Sequence, residues 1–343
     1  MFTFLANIEF PKLGWSFDIS ETLVEFKLFG NDFSIRWYGL IIAVGFLLAV
    51  IYALRRSKHF GVDSDRLIDV VLVSTLFAFL GARLYFVLFT HDTKSYFENP
   101  GKFFEIWNGG LAIYGGIIFA FLTALWMCRV RKVNTLALFD LGALGFLIGQ
   151  GIGRWGNFFN QEAFGGNTTL PWGMNGDKIK TGETLFNATK YYKLGDPVHP
   201  TFFYEFLWCV LGFVLLHILS KRAYKFKGML FSLYLSWYGI GRFFIESLRA
   251  DSLYLGSMKV SQLMAVLCVI GGVILFFVFK NRESRLPKAL PVEGAETADD
   301  EESVTMYEPA DAEDETAVEA EADYVDGPEE DTEPENVDQP EGE

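Results

Sequence analysis

Long apolar runs alternate along the chain with short clusters of Lys and Arg. Seven stretches, 37–54, 67–89, 111–130, 136–152, 200–219, 229–248 and 260–279, approach the apolar length that crosses a bilayer as a helix, about 20 residues. The fourth is the shortest and contains Asp140 and Gln150. Residues 1–34 have neither a basic start nor a continuous apolar run, so no cleaved signal peptide is expected there. Residues 153–199 are rich in Gly, Asn and Thr and predict a small cap on one face of the membrane. The fold class expected is all-α: a polytopic membrane protein of seven transmembrane helices spanning 35–281, with an N-terminal segment 1–34, a cap and a tail 282–343.

The basic clusters orient this bundle. Arg55, Arg56, Lys58 and Arg66 follow span one, and Arg129, Arg131 and Lys132 follow span three. Lys221, Arg222, Lys225 and Lys227 follow span five, and Lys280, Arg282, Arg285 and Lys288 follow span seven. With seven spans all four clusters fall on one side, which the positive-inside rule assigns to the cytoplasm. The N-terminus and the cap are then outside and the C-terminus is cytoplasmic.

Composition agrees once the charge is placed. The chain is 51% hydrophobic with 35 Phe, yet its formal net charge is -14. Residues 289–343 hold 23 Asp or Glu and no Lys or Arg, so the rest of the chain is +9. The tail cannot bury enough apolar surface to offset its ordering entropy and is expected to be disordered. The basic excess of the body is mainly topology, so no nucleic-acid partner is inferred. Cys128, Cys209 and Cys268 all lie in apolar stretches without CxxC or Cys/His spacing, and no disulfide or metal site is expected.

Asp69, Arg83, Asp140, Glu205, Arg242 and Glu246 fall within predicted spans, where a charge is costly unless paired or wetted. Asp69 and Asp140 lie near span starts and read as structural. Arg83 fits a structural partner and a site residue equally. Arg242 and Glu246 share one helix face, which Arg249 continues to the outer surface. The run Gly153-Arg154-Trp155-Gly156-Asn157-Phe158-Phe159-Asn160-Gln161-Glu162-Ala163-Phe164-Gly165 follows span four at the same surface. Arg154 offers a planar fork that suits a phosphate, and Asn157, Asn160 and Glu162 can orient it. An ordinary polar loop explains that run as well. His199-Pro200 with Tyr204-Glu205 opens span five, and His199 reads as a base or as an interfacial residue. His59, His91 and His217 show no ligand-like spacing. Tyr114 sits among paired glycines at the start of span three, and Arg36-Trp37-Tyr38-Gly39 starts span one. All five clusters lie at the outer ends of their helices, which predicts a site facing the outer leaflet.

In these residues the chain resembles the bacterial phosphatidylglycerol–prolipoprotein diacylglyceryl transferases. Gly153 to Gly165 fits that family's GRxGNFxNxExxG signature. His199-Pro200 with Tyr204-Glu205 looks like its HPxxxYE element. Tyr238, Arg242, Glu246 and Arg249 match YxxxRxxxExxR, and residues 36–40 look like RWYGL. The likeness runs in order over roughly residues 35 to 280.

The resemblance implies transfer of the sn-1,2-diacylglyceryl group from phosphatidylglycerol to the lipobox cysteine thiol of a preprolipoprotein. A thioether forms and glycerol 1-phosphate leaves. It also implies a bacterial cell (inner) membrane location, with no cofactor and no metal. Arg154 and Arg242 would be the catalytic groups. Arg154 also, with Tyr38, Tyr114, Asn157, Glu162, Gly165, His199, Tyr238, Glu246 and Arg249, would bind or frame the substrate. Many members carry a histidine in an FHGG element where this chain has Tyr114 in Ile113-Tyr114-Gly115-Gly116. A phenol with a pKa near 10 is a poor base at neutral pH, so Tyr114 is expected to position rather than to take a proton. Other readings of the embedded charges are an outer-leaflet lipid transporter or flippase and a membrane scaffold. No internal repeat supports a transporter, and a scaffold leaves the arginine clusters unexplained.

Overall fold

The computed structural model describes residues 6–28, 31–90, 93–105, 109–183, 193–250, 252–256 and 258–283. The acidic tail lies outside the described residues, as does His91. Before the first long helix come four strands, β1 (Ala6–Phe10), β2 (Trp15–Ile19), β3 (Thr22–Leu28) and β4 (Asn31–Arg36). The helices are α1 (Trp37–Arg56), α2 (Ser64–Phe89), the short α3 (Thr93–Glu98), α4 (Ile113–Val130) and α5 (Thr135–Asn160). After β5 (Asn175–Gly176) and the short α6 (Asp177–Thr181) come α7 (Thr201–Arg222) and α8 (Met229–Leu248). The strands β6 (Tyr254–Leu255) and β7 (Met258–Lys259) lead into α9 (Val260–Glu283).

Six of these helices, among the described residues, are long and apolar enough to cross a membrane: α1 with its following turn, α2, α4, α5, α7 and α9. The remaining predicted stretch, the sixth in order, is α8, 20 residues long, and Arg242 and Glu246 dilute its apolar character. It packs against α5, α7 and α9 as one more member of the bundle.

Helix α5 is the axis: α1, α7 and α8 all pack on it, while α2 pairs with α4 and α8 with α9. The α2–α4 pair is close because Gly115 has no side chain. A Cβ there would stand 2.3 Å from the Gly81 carbonyl oxygen. The largest apolar core, including Leu141, Leu144, Leu147 and Leu230, lies where α5 meets its neighbours.

Two embedded charges hold this frame together. Asp140 is fully buried and accepts from Tyr224 Oη (2.7 Å), Gly228 N (2.6 Å) and Phe231 N (2.8 Å). It thereby caps the N-terminus of α8 with an anion at the positive end of that helix. Arg83, 4% exposed, donates to the carbonyl oxygens of Lys102, Phe103, Glu105, Gly109 and Gly110. Its guanidinium is consumed by the segment joining α2 to α4, which decides the ambiguity in favour of structure. Asp69 pairs with Arg131 at an exposed position, as a span-end residue should.

Two features depart from the apolar pattern. Helix α5 continues eight residues past the predicted span end at 152, through Arg154 and on to Asn160. Trp155, Phe158 and Phe159 drive that extension: Trp155 packs edge-on against Phe202 and Phe206 of α7, and Phe159 stacks on Trp37 of α1. The segments flanking α5 at that end also contain strands that the apolar pattern did not assign. Antiparallel β1 joins β2 and β5, with Ile8 opposite Phe17 and Gly176. Ile8 is fully buried, and Phe164, Met174, Ile179, Val198 and Phe202 form a second small core in this cap.

Candidate active site

Glu205 stands in the first turns of α7, 7% exposed, with three arginines around it. Its Oε2 lies 2.5 Å from Arg154 Nη2, on α5. Its Oε1 lies 3.3 Å from Arg242 Nη1, on α8, and 3.7 Å from Arg249 Nη1, just past the end of α8. Arg242 Nη2 is in turn 2.7 Å from Glu246 Oε2, one helical turn on, and Glu246 is 1% exposed. Three arginines, one on α5 and two from α8 and its end, are thus held by two buried carboxylates. Such groups tolerate burial only because they are paired.

The loop after α5 fixes this arrangement. Gln161 (φ 51°) ends the helix in the left-handed region. Its buried amide accepts from Lys178 N (2.9 Å) and donates to the Asn7 carbonyl (3.3 Å), tying the loop to the cap. Gly165 N donates to the His199 carbonyl (2.9 Å), and Gly166 N to that of Leu248 (2.8 Å). No larger residue fits at 165, since a Cβ would meet His199 Cβ at 2.7 Å and the Leu248 carbonyl oxygen at 2.9 Å. That contact sets Arg249, which pairs with Gly165 as an isolated bridge. Lys259 Nζ donates to the carbonyls of Glu246 (2.6 Å) and Arg249 (3.1 Å), placing a cation at the C-terminal end of α8.

The remaining expected residues divide between the surroundings of this centre and the bundle surface. Glu162 accepts from Asn157 Nδ2 (3.0 Å) and Asn160 Nδ2 (3.2 Å), beside Tyr38, whose ring packs on Gly156. The phenol of Tyr38 feels both Glu162 and Arg154. Tyr238, one turn before Arg242 on α8, feels Arg242 and Arg154. His199 Nδ1 is 3.2 Å from Tyr204 Oη, which accepts from Trp172 Nε1 at 2.8 Å. Burial holds the His199 imidazole below its ordinary pKa, so it is neutral at pH 7. Tyr114 is not brought in: it is 66% exposed at the start of α4.

Arg154 and Asn157 also form the polar head of a long apolar groove. This cavity, about 1130 Å³, runs between α1, α2 and α5 from Tyr38, Arg154 and Asn157 to Leu54, Leu67 and Leu141 at the far end. Its α2 wall includes Leu72, Leu76 and Phe79, which are exposed on the outside of the bundle, so the groove opens toward where lipid would be. Of the three arginines only Arg154 lines it. A cationic head on an acyl-sized apolar trough suits a molecule with one anionic group and long hydrocarbon chains. Among the described residues no three His, Cys, Asp or Glu side chains gather into a metal-ligand set.

Sequence reasoning singled out the arginines but gave Glu205 no site role, although it is the group all three share. The signal was present, because an embedded carboxylate requires cationic partners.

Comparison with known proteins bears on this geometry. Residues 24–278 match the family model described as prolipoprotein diacylglyceryl transferase. The phosphatidylglycerol–prolipoprotein diacylglyceryl transferase of Staphylococcus haemolyticus is 42% identical over 243 residues, 71% of this chain and 83% of the relative. The protein of the same name from Finegoldia magna is 40% identical over 259 residues, 76% of this chain and 96% of the relative. That from Staphylococcus aureus is 43% identical over 238 residues, 69% of this chain and 82% of the relative.

Proposed function

Because the chain belongs to the prolipoprotein diacylglyceryl transferase family, we propose that the Arg154–Glu205–Arg242–Arg249 centre is where it transfers diacylglyceryl from phosphatidylglycerol to a prolipoprotein. The acyl chains enter the groove sideways from the bilayer, and the lipid phosphate meets Arg154 at its head. The acceptor is the thiol of a lipobox cysteine. The observation that carries this reading is the coincidence of Arg154 on two structures: the groove wall and the buried ion-pair centre.

The thiol sulfur attacks the sn-3 carbon of the lipid glycerol, and the bond from that carbon to the phosphate oxygen breaks. The bridging oxygen leaves with the glycerol phosphate and keeps the electron pair of the broken bond, and the proton given up by the thiol balances the new phosphate charge. Negative charge therefore grows on the phosphate as the bond breaks. Guanidiniums already fixed by Glu205 and Glu246 stabilise that charge without reorganising. The nucleophile belongs to the acceptor, so the chain needs no activated Cys or Ser of its own. Its thiol, with an ordinary pKa of about 8.5, is favoured as thiolate beside cations. Arg154 and Arg242 face the developing charge, Arg249 shares the Glu205 carboxylate with them, and Gly165 and Tyr38 frame the site.

The distribution of Lys and Arg supports an orientation with the N-terminus and this centre outside and the C-terminus cytoplasmic, in the bacterial cell membrane. The lipid-transporter reading has no independent support beside the family membership. Product analysis tests the reaction. Purified protein, phosphatidylglycerol and a lipobox peptide should give diacylglyceryl-peptide and glycerol phosphate in equal amounts. Folded protein that forms no adduct would overturn the proposal.

A further inference from the structure

At the end of the bundle opposite Arg154, four basic side chains from two helices converge without a carboxylate. Arg56 ends α1, and His59 lies in the turn that follows. They face His217 and Lys221 near the end of α7. The Tyr52 hydroxyl is 2.7 Å from His217 Nδ1. His59 Nε2 is 2.9 Å from the Ser220 carbonyl oxygen, and Arg56 Nη2 donates to Ser220 Oγ at 3.3 Å.

The charges felt at His217 are those of Lys221, Arg56 and His59, with no carboxylate among them. None of the four joins an ion pair among the described residues. Arg56 Nε is shielded from solvent and has no hydrogen-bond partner among the described residues. A shielded donor of a charged group is costly to leave unpaired, and clustered cations repel one another.

Positive-inside topology explains cations at this end. It does not explain their convergence around a shielded N–H. Arg55, Lys58 and Arg222 are exposed, as are His59 and Lys221 at the rim, whereas Arg56 and His217 are half-buried. Two imidazoles, a guanidinium and an ammonium, at the depth where a helix meets headgroups, are the groups that hold a phosphate between helices.

We propose that Arg56, His59, His217 and Lys221 bind the phosphate of an anionic phospholipid in the leaflet at this end, clamping α1 to α7. The site is separate from the transfer centre. Those two helices nevertheless carry Tyr38 and Glu205 at their other ends, so the bound lipid braces the frame on which the centre stands.

The test uses the full chain, delipidated in a neutral detergent, and reads its unfolding midpoint. Titration with phosphatidic acid is expected to raise the midpoint saturably, while phosphatidylcholine of the same chains leaves it unmoved. The shift should persist in Arg242→Ala, which places it away from the transfer centre. It should fall several-fold in Arg56→Gln/His217→Gln. If that double variant does not fold, Lys221→Gln at the exposed rim should weaken retention of phosphatidic acid several-fold by native mass spectrometry. An equal shift with inorganic phosphate would overturn the lipid assignment. Equal shifts in wild type and variants, or with phosphatidylcholine, would overturn the site.

Discussion

Arg154 and Glu205, from different helices, are joined by a 2.5 Å contact between Nη2 and Oε2, and the other Glu205 oxygen faces Arg242 and Arg249. One carboxylate therefore sets three guanidiniums. If Glu205 loses its charge, those cations face each other without the carboxylate they share. Glu205→Gln is expected to destabilise the protein by about 3 kcal/mol, the low end for breaking a buried pair because Arg154 is partly solvated. Thermal unfolding in detergent should show it, with transfer reduced at temperatures where the variant is still folded. An unchanged midpoint would mean that the arginines are held by other groups.

Tyr114 and Arg242 should separate cleanly. Tyr114 is exposed and apart from the ion-pair centre, whereas Arg242 bridges two buried carboxylates. Tyr114→Phe is expected to keep substantial transfer activity. Arg242→Ala is expected to lose about 100-fold or more, the scale for removing one fixed donor to developing charge. Equal loss in both would assign the phenol a direct role.

The groove makes a prediction about chain length. Gly149 lines it, and a Cβ there would meet nothing within 4 Å, so packing does not require glycine at that position. Gly149→Leu should fold normally but fill the trough. Transfer from long-chain phosphatidylglycerol should drop several-fold more than transfer from a short-chain analogue. A uniform drop for both lipids would place the acyl chains elsewhere.

His199 predicts a stability effect with a definite sign. Burial lowers its folded pKa below the ordinary 6.5, so between the two values the unfolded chain binds more protons. Stability should rise with pH across that window and level off above about 6.5. In His199→Gln this contribution should vanish, so that unfolding midpoints of the two proteins run parallel above pH 6.5 and diverge below it. Parallel curves throughout would show that His199 titrates as it does in the unfolded chain.

Most of the helical frame was legible because a bilayer imposes a length that apolar runs must meet. The site was legible in its cations for the same reason: a charge in such a run demands a purpose. Other features follow from partners distant in the chain. The glycines and asparagines of residues 153–160 interrupt the apolar run, so sequence alone does not extend the fourth span through Arg154. Three aromatic contacts with α1 and α7 nevertheless keep the segment helical. Strand β1 is half-buried, with Ile8 alone among its residues fully buried, and β2 is mostly exposed, so alternation along them is faint. Arg83 could not be assigned from sequence, since backbone carbonyls have no side-chain signature. Glu205 was seen as embedded, yet its place at the junction of α5, α7 and α8 appears only when those helices are packed.

The claim that Arg154 couples the lipid groove to the ion-pair centre is tested most directly by one rate. Wild type and Arg154→Ala, both shown to be folded, are given phosphatidylglycerol and a lipobox peptide, and the diacylglyceryl adduct is measured by mass over time. The account predicts a loss of about 100-fold or more in the variant. Transfer within a few-fold of wild type would contradict it.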